Sequence, residues 1–416
     1  MRIIYISGDI GVEIGGRKGA ATHVRETCHA LQRFGHEVTL VTPTPGELSH
    51  VYVPVVQVKP PRARWLGSDL RYIGLNRRIR TRLVQLIKDI KPHAVYERYS
   101  LYQTAGQRVC RGFNMPRILE VNTLLAREQR DRLHWPGIAQ HVENSLWRRE
   151  GAIICVSETL KRLMIESARL DEKKMTGFVI SPVAVDADIF HPSVEPAEEV
   201  RRLAKGRKVA GYAGTLTAWH GVDLFFHAAR YFRDHNVPCT ILAVGGEDER
   251  VERLRARASE EKLEQHLNFY GSIPHHRVPS FLAAMDVCLI ADTQDWSSPT
   301  KFFEFAAMEK PIVAARSPSV NEVFGHNEQA GLFFERGDGN GMAQRIIECL
   351  ENPEAAKVRG AAARERVLER YTWECNVRAI MQLYEKMGAD TSTTIEARQP
   401  ECGTANAAPS AGALAG

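Results

Sequence analysis

The sequence predicts an α/β protein built as two doubly wound parallel-sheet domains that face one another across a cleft. Three observations predict it. Short apolar, β-rich runs alternate with amphipathic helical stretches, the pattern of βαβ units whose helices cover both faces of a parallel sheet. That cycle restarts after a linker bracketed by Pro182 and Pro192. A chain of 416 residues, 44% hydrophobic and 25% charged, is also longer than one typical core organises.

In the first half, strands are expected at Ile3–Ile6, Glu37–Thr42, Val51–Val58, Ala94–Tyr96, Arg117–Val121, Ala152–Val156 and Gly177–Ile180. Helices are expected near 20–35, 70–90, 100–112, 138–150 and 158–170. After the linker and the acidic Glu195–Glu199 stretch come strands at Lys208–Ala213, Cys239–Val244, Leu267–Tyr270, Val287–Ala291, Ile312–Ala315 and Gly331–Phe334. Helices are placed near 222–235, 249–262, 276–285, 299–309 and 340–351, and helical periodicity resumes at 353–370 and 373–387. The division is therefore 1–185 and 186–370, a last helix at 371–387, and a tail from 388 to 416 read as disordered because it is Ala, Gly, Thr, Ser and Pro with little large and apolar.

No apolar run approaches the roughly 20 residues that span a bilayer. The start, Met1 to Asp9, is too short and too soon polar for a signal peptide and reads as a first buried strand. Eight cysteines are scattered without a Cys-x-x-Cys pair, and Cys155, Cys239 and Cys288 sit in or beside apolar runs. Free buried thiols in a reducing cytoplasm are expected, with no disulfide frame and no zinc site. The net charge of +5 is unevenly placed: Arg62, Arg64, Arg71, Arg77, Arg78, Arg80 and Arg82 are opposed only by Asp69. Leu75, Ile79, Leu83, Ile87 and Ile90 give the same stretch an apolar stripe with a basic back. That back is either a solvated face or a surface for anionic lipid headgroups. Nucleic acid is not expected, because the arginines are not interleaved with aromatics and no recognition module appears.

The chemistry concentrates in Ser298-Pro299-Thr300-Lys301-Phe302-Phe303-Glu304. Ser298 suits an N-cap and Pro299 a first helical position. The amides of Thr300 and Lys301 then lack intrahelical partners at the positive end of the helix dipole, where a phosphate fits. Lys301 adds a positive charge. Glu304 shares that face one turn on, about 5 Å along the axis, and can accept two hydrogen bonds from a sugar diol. Diphosphate at the tip and ribose a turn along describe a nucleotide-sugar.

Other nucleotide folds fit less well. The first βα turn holds Gly15-Gly16-Arg17-Lys18-Gly19, which is not Gly-x-Gly-x-x-Gly, and the second strand ends in Val41-Thr42-Pro43 without a ribose-binding acid. The lysine-bearing P-loop is absent. Gly16 and Gly19 still let the backbone approach a bound group just before a helix.

Together the segments resemble the family-4 retaining glycosyltransferases of GT-B fold. The matching stretches include Lys18–Glu26, Gly35–Leu40, Glu120-Val121-Asn122, Val156-Ser157, Val185-Asp186 and Phe190-His191-Pro192. In the second half they are Gly211–Gly214, Trp219–Asp223, Gly271–Pro274, Ser298–Glu304, Lys310–Ala314, Gly331–Phe334 and Tyr371-Thr372-Trp373. In order, they cover roughly residues 2–387. The resemblance implies that the C-terminal domain binds the donor, the N-terminal domain the acceptor, and that the last helix crosses back to the first domain. It implies donor contacts at Gly214 and Thr215 beside Gly16, Gly19, Ser298, Pro299, Thr300, Lys301 and Glu304. It further implies a retaining, metal-independent transfer, and a same-face displacement is the default, since no carboxylate stands out as a covalent nucleophile.

There are departures. Many relatives carry two glutamates eight residues apart; Glu304 matches the second, but Trp296 holds the first position. Where many carry a Gly-Arg…Lys-Gly pair for the diphosphate, this chain has Thr215 and His220. The expectation is that the positive charge has moved to Lys301, with His220 a donor that a dianionic neighbour would keep protonated. Catalysis is assigned to Lys301, Glu304, His220 and Asn122, which would stabilise the departing phosphate and place the reactants. His23, Arg98, Asn122 and Glu128 are the candidate acceptor contacts. Asp186-Ala187-Asp188 fits a metal-binding string but lies where the family has a structural Val-Asp, so no metal and no cofactor is expected. The leading function is transfer of a sugar from a UDP- or GDP-linked donor to a glycan or lipid-linked acceptor in surface polysaccharide or glycolipid synthesis. It would act in the cytoplasm or at the cytoplasmic face of a membrane. The alternatives are a sugar-nucleotide epimerase, a phosphorylase, or a non-catalytic donor-binding subunit of a transferase complex.

Overall fold

The computed structural model describes residues 1–16, 18–62, 67–326, 328–389 and 391. Arg64 of the arginine run, Arg17 of the glycine loop and nearly all of the expected tail lie outside the described residues.

The first sheet carries β1 (Arg2–Ser7), β2 (Glu37–Thr42), β3 (Val55–Gln57), β4 (Ala94–Arg98), β5 (Arg117–Val121), β6 (Ala152–Cys155) and β7 (Gly177–Ile180). Its helices are α1 (Gly19–Arg33), α2 (Gly67–Ile90), α3 (Ala105–Gly112), α4 (Leu125–Glu128), α5 (Pro136–Trp147) and α6 (Glu158–Ala168). After α7 (Glu198–Ala204), the second sheet carries β8 (Lys208–Ala213), β9 (Cys239–Val244), β10 (Leu267–Gly271), β11 (Val287–Ile290), β12 (Ile312–Ala315) and β13 (Leu332–Phe334). Its helices are α8 (Val222–Asp234), α9 (Asp248–Glu260), α10 (Val278–Ala283), α11 (Thr300–Ala307), α12 (Pro318–Phe324), α13 (Gly339–Glu351) and α14 (Pro353–Arg370). The last helix, α15 (Trp373–Lys386), packs on α1 and on β5 and β7 of the first sheet.

The strand orders are β3-β2-β1-β4-β5-β6-β7 and β10-β9-β8-β11-β12-β13, parallel throughout. The two doubly wound parallel sheets are those the alternation predicts. Because helices cover both faces, strands such as β9 and β11 are buried along their whole length, which explains continuous apolar runs rather than a period of two. The charged residues in β5 are tolerated because they are paired: Arg117 lies between Glu97 and Glu150, 2.5 Å from each.

Two elements are shorter than the sequence suggests. β3 keeps only three residues of the Val51–Val58 run, since Pro54 has no N–H for the ladder. The helix expected from residue 100 begins at Ala105, because Tyr102 has φ of 58° and cannot continue a right-handed turn. The short α4, α7 and α12 lie where no helix is expected. Cys155, Cys239 and Cys288 are free and buried.

Candidate active site

Strand order reverses between β1 and β4 in one sheet and between β8 and β11 in the other. Ligands of open α/β sheets bind outside the carboxyl ends of the strands at such switch points. Here the two switch points face each other around a cavity of about 790 Å³. Its walls come from the loop after β1, the end of β4, the loop after β8 and the segment between β11 and α11. A Cβ on Gly19 would stand 3.6 Å from Thr300 Oγ1, so the glycine loop of one domain meets the α11 tip of the other.

The C-terminal wall centres on Lys301. Its ammonium is buried and donates to Tyr212 Oη at 3.0 Å and to His220 Nδ1 at 3.2 Å. Burial pulls the Lys301 pKa down to about 7, although Glu304 and Asp292 work the other way. The ammonium is therefore a buried, poorly compensated cation. His220 is pushed down to about 3, first by burial and then by Lys301. Without a diphosphate the shift runs opposite to the protonated form expected beside a dianion, and Nδ1 accepts from the Lys301 ammonium. Gly221, with φ of 70°, makes this geometry possible, since a Cβ there would lie 3.0 Å from Ala291. Thr215 contributes its carbonyl, which accepts from Tyr212 Oη at 2.9 Å. Gly214 and Thr215 both line the cavity.

The cap of α11 also differs from expectation. The helix starts at Thr300, and Pro299 occupies the N-cap with an extended ψ of 131° and its carbonyl accepting from Phe302 N. Ser298 does not cap. Its hydroxyl instead accepts the Val183 amide across the domain boundary at 3.1 Å. The amides of Thr300 and Lys301 remain at the helix tip, on the cavity wall. One turn on, Glu304 Oε1 accepts from His275 Nε2 at 3.2 Å. Burial disfavours the His275 cation, but the hydrogen bond and charge of Glu304 outweigh it and raise the imidazole above its ordinary value.

The N-terminal wall centres on Glu120, a carboxylate that is 1% exposed. His23 Nε2 is hydrogen-bonded to its Oε1, Arg98 approaches the same oxygen at 3.6 Å, and Tyr5 Oη donates to Oε2 at 3.1 Å. His23, Arg98 and Asn122 line the cavity, as do Gly16 and Gly19. Arg25 holds the glycine loop by donating to the carbonyls of Ile14 and, at 2.8 Å, Gly16. Glu128 lies elsewhere: it is exposed, outside the cavity wall, and accepts from Thr123 and from Trp296 Nε1 at 3.4 Å. Trp296 reaches across the boundary, donating to Thr123 Oγ1 at 3.1 Å, with its carbonyl accepting from Ser157 Oγ at 2.8 Å. Asp186 accepts from Arg33 at 3.0 Å and from the Asp188 amide at 3.0 Å.

Three residues central to this geometry were given no role from the sequence, although Glu120 and Tyr212 lie inside segments that match the family. His275 directly follows the Gly271–Pro274 segment. Tyr212 is an aromatic with a polar tip inside the buried β8 run. Glu120 carried the clearest signal, an acid inside an apolar strand that must find donors where it is buried.

Two doubly wound parallel domains, with a helix tip facing a glycine loop across the cleft, form a GT-B fold. The chain is of the family-4 type: residues 17–177 match the family model "Glycosyltransferase Family 4" and residues 194–366 match "Glycosyl transferases group 1". It is 21% identical over 417 residues to a glycogen synthase of Mycobacterium tuberculosis, covering 92% of this chain and 94% of that protein. It is 26% identical over 200 residues to a GDP-mannose-dependent alpha-(1-6)-phosphatidylinositol monomannoside mannosyltransferase of Mycolicibacterium smegmatis, covering 46% of this chain and 52% of that one. Among solved structures, a glycosyltransferase from Rickettsia africae superposes with a TM-score of 0.74 at 16% identity, covering 94% of this chain and 99% of that one. HepE of Anabaena, in complex with UDP-glucose, gives 0.71 at 17% identity, covering 93% and 99%.

Proposed function

We propose that this enzyme is a retaining, metal-independent glycosyltransferase that moves a sugar from a UDP- or GDP-linked donor to a glycan or lipid-linked acceptor. The observation that carries the reading is the buried Lys301 ammonium beside the free amides of the α11 tip, facing the Gly16–Gly19 loop across one cavity. A diphosphate supplies the anionic partner that the Lys301 ammonium lacks at hydrogen-bond distance, and its charge grows as the anomeric C–O bond breaks. His220, on the same wall, faces the phosphates, and Glu304, oriented by His275, takes sugar hydroxyls. Holding the diphosphate from both domains excludes water that would otherwise hydrolyse the donor. The UDP-glucose bound by a structural neighbour supports a nucleotide-sugar, and the phosphatidylinositol mannoside named for a relative supports a lipid-linked acceptor.

The test is a thermal-shift screen against UDP, GDP, ADP and their sugars, with and without magnesium, since a ligand that binds only the native state raises its apparent stability. One nucleotide should shift the protein without metal and lose its effect in Glu304→Ala. NMR of the product's anomeric centre then reads retention, and inversion would refute it. Donor binding with no turnover on any acceptor would favour the non-catalytic subunit, a reading that Trp296 in place of a glutamate keeps open.

The same reading places the enzyme at the cytoplasmic face of a membrane. Arg77, Arg78 and Arg80 are exposed on α2, and Asp69 does not offset them, being buried against Tyr102 at 2.5 Å and the His134 amide at 2.8 Å. Anionic vesicles should bind the protein at low salt and release it as salt rises. Failure to bind at low salt removes this part of the proposal.

A further inference from the structure

We propose that Arg336, which stands outside the cavity, is the positioning residue of the donor wall: it fastens the turn between β11 and α11 and, by engaging Asp292, leaves the Lys301 ammonium to a diphosphate. The identity of that ligand rests on the transferase reading; the arrangement of charges does not.

Arg336 follows the last residue of β13 by two positions, at the carboxyl end of the second sheet. Its targets follow β11, and β12 lies between the two strands. Neighbouring strands are about 4.8 Å apart, so a long side chain laid over the strand ends is needed to make the connection. The guanidinium makes three contacts there. Nε lies 2.9 Å from Asp292 Oδ1, Nη2 lies 2.8 Å from Asp295 Oδ1, and Nη2 donates to the Thr293 carbonyl at 2.6 Å. A planar fork suits this task, where a lysine would act as a single point charge.

The turn is also closed from within. The Thr293 amide donates to Asp292 Oδ1 at 2.7 Å, and the Thr293 and Ser297 hydroxyls share a hydrogen bond of 2.8 Å. Ser319 Oγ donates to the Gln294 carbonyl at 3.2 Å. Thr293, Gln294, Ser297 and Ser298 line the cavity, and the turn runs directly into the α11 tip. Arg336 is absent from that wall, so it acts through the residues it holds.

The same turn carries the charge that decides what Lys301 meets. Asp292 acts on the ammonium through space, and its backbone hydrogen-bonds His220, the residue that accepts from Lys301. Asp292 Oδ1 is taken by Arg336 and by the Thr293 amide, so this carboxylate has a cation of its own. With Arg336 removed, Asp292 and Asp295 lose their shared cation, and the wall becomes more negative where an anion must enter. The groups facing Lys301 are Tyr212 on β8, His220 just before α8, Glu304 on α11 and Asp292 after β11.

Two measurements on the full chain test it. The first needs no ligand: ¹³C NMR of the lysine Cε positions against pH, with Lys301 assigned by its loss in Lys301→Met. Burial holds this group down to about 7, and Asp292 opposes burial. Arg336→Met removes a repelling cation and frees the carboxylate, so the Lys301 midpoint should rise by about one pH unit. An unchanged or lower midpoint overturns the proposal.

The second measurement is the calorimetric Kd for UDP and GDP across pH. In Arg336→Met, affinity below pH 7 should drop about tenfold, the scale of one uncovered like charge at partly screened range. The fall in affinity above pH 7 should move to higher pH with Lys301. Tm should stay within about 2 °C, because partly exposed ion pairs contribute little to stability. Adding Asp292→Asn to Arg336→Met removes the freed charge and should recover most of the lost affinity, while Arg336→Lys should keep the parent's midpoint. A double variant that binds no better than Arg336→Met, or an affinity lost equally at every pH, leaves Arg336 a structural tie and overturns its charge role. If the parent binds none of UDP, GDP and ADP, the transferase reading falls, and the Lys301 titration still decides whether Arg336 governs the ammonium.

Discussion

The two walls of the cleft solve the problem of buried charge in opposite ways. On the N-terminal wall Glu120 is satisfied within the protein by His23, Arg98 and Tyr5, drawn from three different elements. On the C-terminal wall Lys301 meets only neutral groups at hydrogen-bond distance, Tyr212 and His220. The first wall is finished without a ligand, and the second awaits an anion. A self-compensated cluster fixes geometry, whereas an uncompensated cation stores a cost that only the right ligand relieves. Substitutions should therefore separate the walls: changes at Lys301 act on donor binding and leaving-group departure, and changes at the other wall act on what attacks.

The largest effect is expected at Lys301. Lys301→Met keeps the bulk and removes the ammonium. Losing one preorganised donor to a developing anion typically lowers kcat by about 10²–10³-fold. The measurement is nucleoside diphosphate release, with nucleotide Kd alongside. A loss below tenfold would mean the diphosphate sits elsewhere in the cavity.

The same residue gives a pH signature. Lys301 has its pKa lowered to about 7 in the fold, against an ordinary 10.5. Between those values the unfolded chain binds more protons, so this group makes stability rise with pH across that window. Diphosphate binding has the reverse sign: it favours the protonated lysine, so affinity should fall above pH 7 by up to about tenfold per unit. Calorimetry of UDP or GDP binding in buffers of different ionisation enthalpy should show proton uptake near pH 8, and none in Lys301→Met.

A smaller effect is expected at Glu304→Gln. The variant preserves shape but weakens hydrogen bonds to sugar hydroxyls, and bonds to charged groups are worth about 1.5–3 kcal/mol, or roughly 10- to 100-fold in kcat/KM. His275 reports the change independently. It is raised by the Glu304 carboxylate, so its titration, followed by proton NMR, should move down in the variant.

Much of this was legible in the sequence. The alternation of apolar runs and amphipathic helices set the two sheets, and the Ser298–Glu304 segment marked the helix tip. What stayed hidden depended on partners far away in the chain. Ser298 reads as a cap because serine beside a helix start is ordinarily satisfied locally, yet its oxygen serves Val183, 115 residues away. His220 reads as a cation because histidine near phosphate tends to charge, but burial beside Lys301 reverses the sign. Local chemistry can be read from neighbours in sequence, whereas the sign of a pKa shift needs the packed environment.

The smallest effect is expected at the boundary joining the walls. Trp296 stands where many relatives carry a glutamate, and its indole is spent on the other domain, donating to Thr123 and lying under the Arg127 guanidinium at 4.9 Å. Trp296→Phe keeps the ring but removes the Nε1 donor. One neutral hydrogen bond is worth about 1 kcal/mol net, so Tm should fall by only a few degrees. If the indole merely fills space, Trp296→Phe will match the parent in both Tm and donor Kd. If it holds the domains in register, the variant will lose donor affinity while each domain keeps its own fold. Small-angle scattering with and without UDP would then show a more open unliganded form. That result would make Trp296 a residue exchanged from sugar contact to domain alignment.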